Sequence, residues 1–211
     1  MSSTTNVGSV VYRTEDPALL TGKGRYVDDI SMPGMLEVAF VRSSEAHARI
    51  KGVDKSEALK IPGVVAVLTI EDFPEFEKKQ MVQANPHPAM KQNITQKPLS
   101  GVEVCYVGET IAMVVAENRY IAEDGAQAVI VDYEPLPVVI DVLQASKPDA
   151  PRVHEGAPDN IVARLEWKIG DVNVAFAGAP HVFKESYTQH RGGCHSMECR
   201  GVVATFSRPR P

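Results

Sequence analysis

Cysteine is scarce in this chain of 211 residues, which contains only three. An odd number of cysteines does not imply a disulfide framework, so we expect reduced thiols. No apolar run is long enough to span a membrane. The polar N-terminus, MSSTTNVGSVVYR, also lacks the charged start and apolar core of a secretory signal. These absences favour a cytoplasmic protein.

Excess positive charge is also missing. The net charge is -5, and no basic run could neutralise a line of phosphates, which disfavours a nucleic-acid-binding protein. Neither a G-x-G-x-x-G nor a P-loop pattern is present. The stretch TGKGRY could hold a phosphate, although two glycines in a polar loop usually only form turns. The hydrophobic content of 44% is enough for a buried core.

The first two thirds of the chain predict alternating strands and short helices. Alternating or β-branched runs predict strands over 35–43, 47–54 and 64–70. Asp54 followed by Glu57 resembles a capping box and predicts a short helix over 55–61. Residues 71–101 are polar and proline-rich, which predicts a long surface excursion.

The clearest β pattern is EVCYVGETIAMVVAENR, residues 103–119. Gly108 divides it into two runs, which predicts a bulge or turn where another backbone comes close. Asn118 is expected to cap a helix over 119–129. A strand is predicted from residue 130, ending at Pro135.

The last third has the composition of a linker followed by an incomplete domain. Residues 144–160 contain three prolines and little apolar content. Strands are then predicted over 161–170, 181–191 and 201–207, with a short helix over 171–179 that starts near Asp171. About fifty residues rarely hold a core alone, so we expect one complete domain and the opening of another.

The stretch HRGGCHSMECRG, residues 190–201, raises the question of a zinc site. It contains His190, Cys194, His195 and Cys199. On a strand these side chains divide between two faces, so only a sharp turn at the glycines would gather all four ligands. A catalytic Cys194–His195 pair meets the same objection, because neighbours on a strand point to opposite faces. We favour a strand, a turn and a second strand with packed thiols.

Four blocks, in their order and spacing, carry a family resemblance. They are RTEDPALLTGKGRYVDDISMPGMLEVAFVRSSEAHARI, IPGVVAVLTIEDFP, YVGETIAMVVAENRYIAEDGAQAVIVDYEPLPVVID and GDVNVAFAGAPHVFKESYTQHRGGCHSMECRGVVATFS. Together they resemble the N-terminal part of the molybdopterin-binding large subunit of the xanthine dehydrogenase, aldehyde oxidase and aerobic carbon monoxide dehydrogenase family. The resemblance extends from about Arg13 to Ser207.

The resemblance implies an α+β fold: an α/β hammerhead domain followed by the first strands of a molybdenum-cofactor-binding domain. The implied bounds are an N-terminal extension at 1–13, the hammerhead at 14–133, a linker at 134–160 and the incomplete cofactor domain at 161–211.

The resemblance also implies a function that this chain could not perform alone. It implies a multi-subunit molybdenum hydroxylase that oxidises or hydroxylates a small substrate with water as oxygen source. Electrons would pass to [2Fe–2S] clusters and FAD on partner subunits. The rest of the molybdopterin domain would come from another chain, which is the account we favour, or from a longer natural polypeptide.

The family places its catalytic and pterin-contacting residues further downstream, so we expect no catalytic residue and no metal ligand in this chain. Glu198 and Arg200 match the H-S-M-E-x-R-G stretch, and Gly108 lies in the Val-Gly-Glu block. All three are candidates for supporting the site or the fold. Two other functions stay open: a non-catalytic hammerhead scaffold or binding module, and a small Cys/His metal protein.

Overall fold

The computed structural model describes residues 8, 10, 12–77, 87–92, 94, 96–189, 192, 193, 195, 196 and 198–206. The chain divides into two compact units, one of Leu36–Val182 and the other of Met1–Met35 with Phe183–Pro211. Among the described residues, no helix has the length and apolar character needed to cross a bilayer.

Two three-stranded antiparallel sheets form the centre of the larger unit. The first has the order β1 (Glu37–Arg42), β5 (Thr110–Ala116), β3 (Val64–Thr69). The second has the order β4 (Glu103–Val104), β2 (Ala48–Asp54), β6 (Ile130–Pro135). Each sheet therefore joins strands that are distant in sequence, and β4 and β5 pass the chain from one sheet to the other.

The central strand β5 carries the most deeply buried side chains. Ile111, Ala112, Val114 and Ala116 are at most 1% exposed. Two apolar clusters result, one around Val114 and one formed by Ile111 with Ala48 and Val104. A strand buried on both faces is apolar at consecutive positions, which explains the near-continuous run IAMVVA.

Helix α3 (Arg119–Ala128) packs against the first sheet through Ala122 and Gly125. The Asn118 side chain accepts a hydrogen bond from the backbone N–H of Ile121 at 3.0 Å. This bond satisfies one of the free donors at the helix start and confirms the predicted cap.

Shorter helices surround these elements. They are α1 (Asp16–Leu20), α2 (Pro74–Glu77), α4 (Val142–Ala145) and α5 (Val172–Gly178), with 3-10 turns at Val27–Asp29, Ala58–Lys60 and Ile70–Asp72. The Asp171 side chain accepts from the N–H groups of Asn173 and Val174, so the predicted start of α5 is confirmed.

The helix predicted over 55–61 is wrong in extent, because only the 3-10 turn Ala58–Lys60 forms. Asp54 does not form the predicted capping box. Its side chain accepts from the N–H of Ser56, two residues on, which is the local turn that aspartate makes in competition with a helix. A capping box does form at the 3-10 turn Ile70–Asp72, where the predicted strand over 64–70 meets the predicted excursion over 71–101.

The strands predicted over 161–170, 181–189 and 201–206 do not form. Within the described residues of these ranges, the backbone makes only one isolated bridge, between Ala163 and Met90. An alternating pattern gives a strand only when a neighbouring strand accepts and donates its hydrogen bonds. Residues 190, 191 and 207 of the predicted strands lie outside the described residues.

Candidate functional site

Glu198 lies against the opening segment of the chain, within the smaller unit. Its Oε1 accepts a hydrogen bond from the backbone N–H of Val27 at 3.0 Å. The hydroxyl of Ser196 donates to the backbone carbonyl of Glu198 at 2.7 Å, which orients the segment locally. The Glu198 carboxylate thus holds the first residue of the 3-10 turn Val27–Asp29.

The neighbours of Glu198 differ in their contacts. Arg200 is exposed. Gly201 lies so close to Val27 that an added Cβ would come within 2.7 Å of its Cγ1. The stretches YVDD and E-x-R-G, from the first and last blocks of the family resemblance, therefore meet at Val27.

Gly108 forms the turn between β4 and β5. Its φ of +92° is a left-handed backbone conformation that other residues rarely adopt. Its N–H donates to the carbonyl of Ser43 at 2.8 Å, and its own carbonyl accepts from Arg42 at 2.9 Å. The predicted turn with a close backbone approach is confirmed.

The turn at Gly108 also places Glu109 in a buried position. One carboxylate oxygen of Glu109 accepts from the hydroxyl of Ser100 at 2.7 Å. The other accepts from the N–H of Cys105 at 2.6 Å. A buried carboxylate bonded at both oxygens fixes the turn, so the Val-Gly-Glu block is explained by folding.

The predicted His/Cys cluster can be followed only in part. His190 and Cys194 lie outside the described residues. His195 and Cys199 are both exposed. Among the described residues, the only group of three or more side chains spaced for a metal ion lies elsewhere, in the larger unit.

That group consists of His47, Glu103 and Cys105. One potential ligand atom from each lies within 4.8 Å of the other two. His47 precedes β2, while Glu103 and Cys105 lie in and directly after β4. Since Ala48 pairs with Val104 in the β2–β4 ladder, the antiparallel pairing brings the three side chains together.

His47 is the most buried member of the group, with its side chain 6% exposed. Its Nδ1 lies 2.7 Å from the backbone carbonyl of Pro137. Its Nε2 lies 3.0 Å from Oε1 of Glu103. Both ring nitrogens therefore face hydrogen-bond acceptors.

Cys105 has a second imidazole beside it. Its Sγ lies 3.3 Å from Nδ1 of His154. Burial, followed by the negative charges of Glu103 and Glu109, raises the pKa of the Cys105 thiol to about 12. In the absence of a cation Cys105 is thus a protonated thiol at neutral pH, and it is not a nucleophile.

Sequence reasoning missed this group, although one signal for it was available. Glu103 and Cys105 are two positions apart in a predicted strand, so their side chains share one face. His47 and His154 are 58 and 49 residues from Cys105 in sequence. Only the β2–β4 register and the path of the chain after β6 bring them close.

Comparison with known families matches most of the chain to two domains. Residues 21–137 match the aldehyde oxidase and xanthine dehydrogenase, a/b hammerhead domain. Residues 153–210 match the molybdopterin cofactor-binding domain. Both domains of the resemblance are confirmed, in the predicted order.

Individual relatives agree with the domain matches. The chain is 39% identical to the carbon monoxide dehydrogenase large chain of Afipia carboxidovorans, over 93% of this chain and 25% of that protein. It is 38% identical to the nicotine 6-hydroxylase large subunit of Paenarthrobacter nicotinovorans, over 95% of this chain and 24% of that protein. The chain spans about a quarter of the length of these relatives.

Solved structures resemble the fold in the same way. In quinoline 2-oxidoreductase from Pseudomonas putida 86, the match has a TM-score of 0.68 at 36% identity. It covers 82% of this chain and 22% of that chain.

Proposed function

Since this chain belongs to the aldehyde oxidase and xanthine dehydrogenase family, we propose that it forms part of the molybdopterin-binding large subunit of a molybdenum hydroxylase. The observation that carries the proposal is the tandem match to a hammerhead domain and a cofactor-binding domain in one chain. The assembled enzyme would oxidise or hydroxylate a small substrate, with water as the oxygen source. Electrons would pass to partner subunits that carry [2Fe–2S] clusters and FAD.

The chain's own part in that enzyme is structural. From residue 162 to 206, every described residue except Val203 is exposed. Ligand sites are concave and bury most of the ligand, and an exposed segment does not provide such a site. These residues do not fit the molybdenum cofactor by themselves, so no step of the reaction is assigned to them.

The hammerhead supplies a folded surface against which the rest of the cofactor domain would pack. Large apolar side chains are exposed to solvent in the later segment: Trp167 is 85%, Ile169 90% and Phe183 86% exposed. Large apolar side chains exposed in this way are typical of a segment that another element covers. We propose that the remaining part of the molybdopterin domain covers them.

Co-purification tests this proposal. The chain is expressed together with the sequence encoded directly downstream of it, in the natural arrangement, and with the candidate iron–sulfur and FAD subunits. The expected result is a complex that contains molybdopterin, molybdenum, iron and FAD. A soluble monomer that never binds these partners and contains no molybdopterin would overturn the proposal and favour a non-catalytic hammerhead module.

A further inference from the structure

The group formed by His47, Glu103 and Cys105, with His154 beside it, places a backbone carbonyl and a carboxylate at the two nitrogens of one imidazole ring. Nδ1 of His47 faces the Pro137 carbonyl, which only accepts, so this nitrogen carries a proton. Nε2 then carries the lone pair of a neutral ring, yet it faces a carboxylate oxygen at 3.0 Å. A proton or a metal ion must therefore lie between Nε2 and the carboxylate oxygen.

The arrangement around His47 is the one seen at metal-binding histidines. Such a histidine usually donates its other ring N–H to a backbone carbonyl or a carboxylate, which fixes the tautomer and the ring orientation. The 2.7 Å contact with Pro137 supplies that partner. The ring is buried and held in place, so its Nε2 is presented to the other members of the group.

The types of ligand atom favour zinc. Imidazole nitrogen, carboxylate oxygen and thiolate sulfur are the three kinds of ligand that zinc takes in proteins. Thiolate disfavours magnesium and calcium, which prefer oxygen ligands. One atom of each kind lies within 4.8 Å of the others, which is compatible with ligation of one ion after small side-chain movements.

The surroundings of the group support a cation in the same position. Cys105 lies next to the buried carboxylate of Glu109, which accepts from the backbone N–H of Cys105 at 2.6 Å. Arg49 lies opposite Glu103 in the β2–β4 ladder and supplies one positive charge, and a divalent ion would compensate the charge of the thiolate ligand. His154 lies 3.3 Å from the sulfur and contacts the group through Cys105.

We propose that Nε2 of His47, a carboxylate oxygen of Glu103 and Sγ of Cys105 bind one zinc ion, with His154 beside the sulfur ligand. Binding releases the thiol proton of Cys105 to solvent, since the ligand is the thiolate. The ion joins the start of β2 to the end of β4, which are far apart in sequence. All four residues lie in the larger unit, so this proposal does not depend on the proposed redox function.

Metal titration of the full chain, with its partner subunits if these are needed for solubility, tests the site. The protein is stripped with a chelator, dialysed and titrated with Zn²⁺ against a chromophoric competitor. We expect one zinc ion per chain at this site. With Co²⁺ as the probe, we expect a thiolate-to-cobalt charge-transfer band in the near ultraviolet.

Matched cysteine variants assign the signal to this group. Cys105→Ser is expected to lose the charge-transfer band. Its zinc affinity is expected to fall by at least about 100-fold, which is the largest loss typical of removing a residue that only hydrogen-bonds to a metal ligand. Cys199→Ser, which changes an exposed cysteine in the smaller unit, is expected to keep both. Glu103→Gln keeps the side-chain shape and is expected to weaken zinc binding without changing the circular dichroism spectrum, which covers the case in which Cys105→Ser fails to fold.

Two results would overturn the site. One is a stripped, folded chain that takes up no stoichiometric zinc. The other is zinc binding that survives Cys105→Ser and Glu103→Gln unchanged, which would place the ion elsewhere. In either case the group is a hydrogen-bonded His47–Glu103 pair with a thiol beside it. The molybdenum content of the assembled complex is a separate measurement, so the two proposals fail independently.

Discussion

The hammerhead region and the segment after residue 161 contain similar apolar patterns but differ in what those patterns achieve. The buried apolar residues lie between Val41 and Ala157, and most of them belong to the two sheets and to α3. In the later segment, Ile169 and Tyr187 are 90% and 91% exposed. Hydrophobic content alone does not make a core, because each strand also needs neighbours that satisfy its backbone.

The largest expected difference between the two regions is in local stability. In the chain without its partners, we expect amides of β5 to exchange only through global unfolding, which costs about 5–15 kcal/mol in a typical domain. Amides of 181–189, which lie in no strand, are expected to exchange close to the unprotected rate.

Hydrogen–deuterium exchange with peptide resolution measures this contrast. Adding the rest of the cofactor domain is expected to protect 181–189 while leaving β5 unchanged. Equal protection in the two regions before any partner is added would break the comparison.

A matched pair of isoleucines tests the difference in packing. Ile111 is 1% exposed, and Ile169 is 90% exposed. Ile111→Ala removes buried methyl and methylene groups and is expected to lower the free energy of unfolding by about 2–5 kcal/mol. Ile169→Ala is expected to change it by less than about 0.5 kcal/mol. Urea denaturation of the full chain compares both, and similar losses would show that Ile169 has a partner in solution.

A matched pair of helical glycines should give effects of opposite sign. A Cβ at Gly125 in α3 would lie 2.8 Å from Cγ1 of Val114 and 3.2 Å from Cγ2 of Val64. The strain of such overpacking, about 1–3 kcal/mol, exceeds the helix-propensity gain of roughly 1 kcal/mol. At Gly178 in α5, nothing lies within 4 Å of the added Cβ.

Gly125→Ala is therefore expected to destabilise the larger unit by about 1 kcal/mol. Gly178→Ala is expected to increase the helicity of α5 slightly, with no loss of stability. Thermal denaturation followed by circular dichroism checks both. A stabilising Gly125→Ala would mean that α3 does not pack as closely on the first sheet as the structure shows.

The same contrast explains which parts of the fold the sequence predicted. Five of the strands, and the helix capped by Asn118, were predictable because their apolar patterns continue over long segments. The strands that they pair with or pack against also lie within the described part of the hammerhead. The predictions of strands after residue 161 rested on comparable patterns and were wrong, because a sequence pattern does not show whether a pairing strand is present.

The candidate site was harder to predict than the fold. The proximity of potential ligands in sequence suggested a zinc site at His190, Cys194, His195 and Cys199. The two described members, His195 and Cys199, are exposed. The group that does form unites residues 47, 103 and 105 through the β2–β4 register. Register depends on tertiary pairing, so neither His47 nor Cys105 could be assigned a partner from its local sequence.

The smallest expected effect concerns one carboxylate at the end of β3, and it depends on pH. Asp72 accepts hydrogen bonds from the N–H of Thr69 at 2.7 Å and from Lys55 at 3.2 Å. The backbone bond from Thr69, followed by Lys55, lowers the pKa of Asp72 below its ordinary value. The ionised form is thus favoured in the folded state, so the stabilisation is complete above the ordinary aspartate pKa and is lost as the pH falls through the lowered one.

Asp72→Asn should flatten the pH dependence of the free energy of unfolding in this acidic range by less than about 1 kcal/mol, because the side chain is 36% exposed. Asp171→Asn is the control, since Asp171 caps α5, which buries no residue, and it should leave the acid slope unchanged. If Asp171→Asn flattened the pH dependence of the free energy of unfolding and Asp72→Asn did not, the acid-sensitive stability would lie outside the hammerhead. The contrast between the two regions would then be reversed.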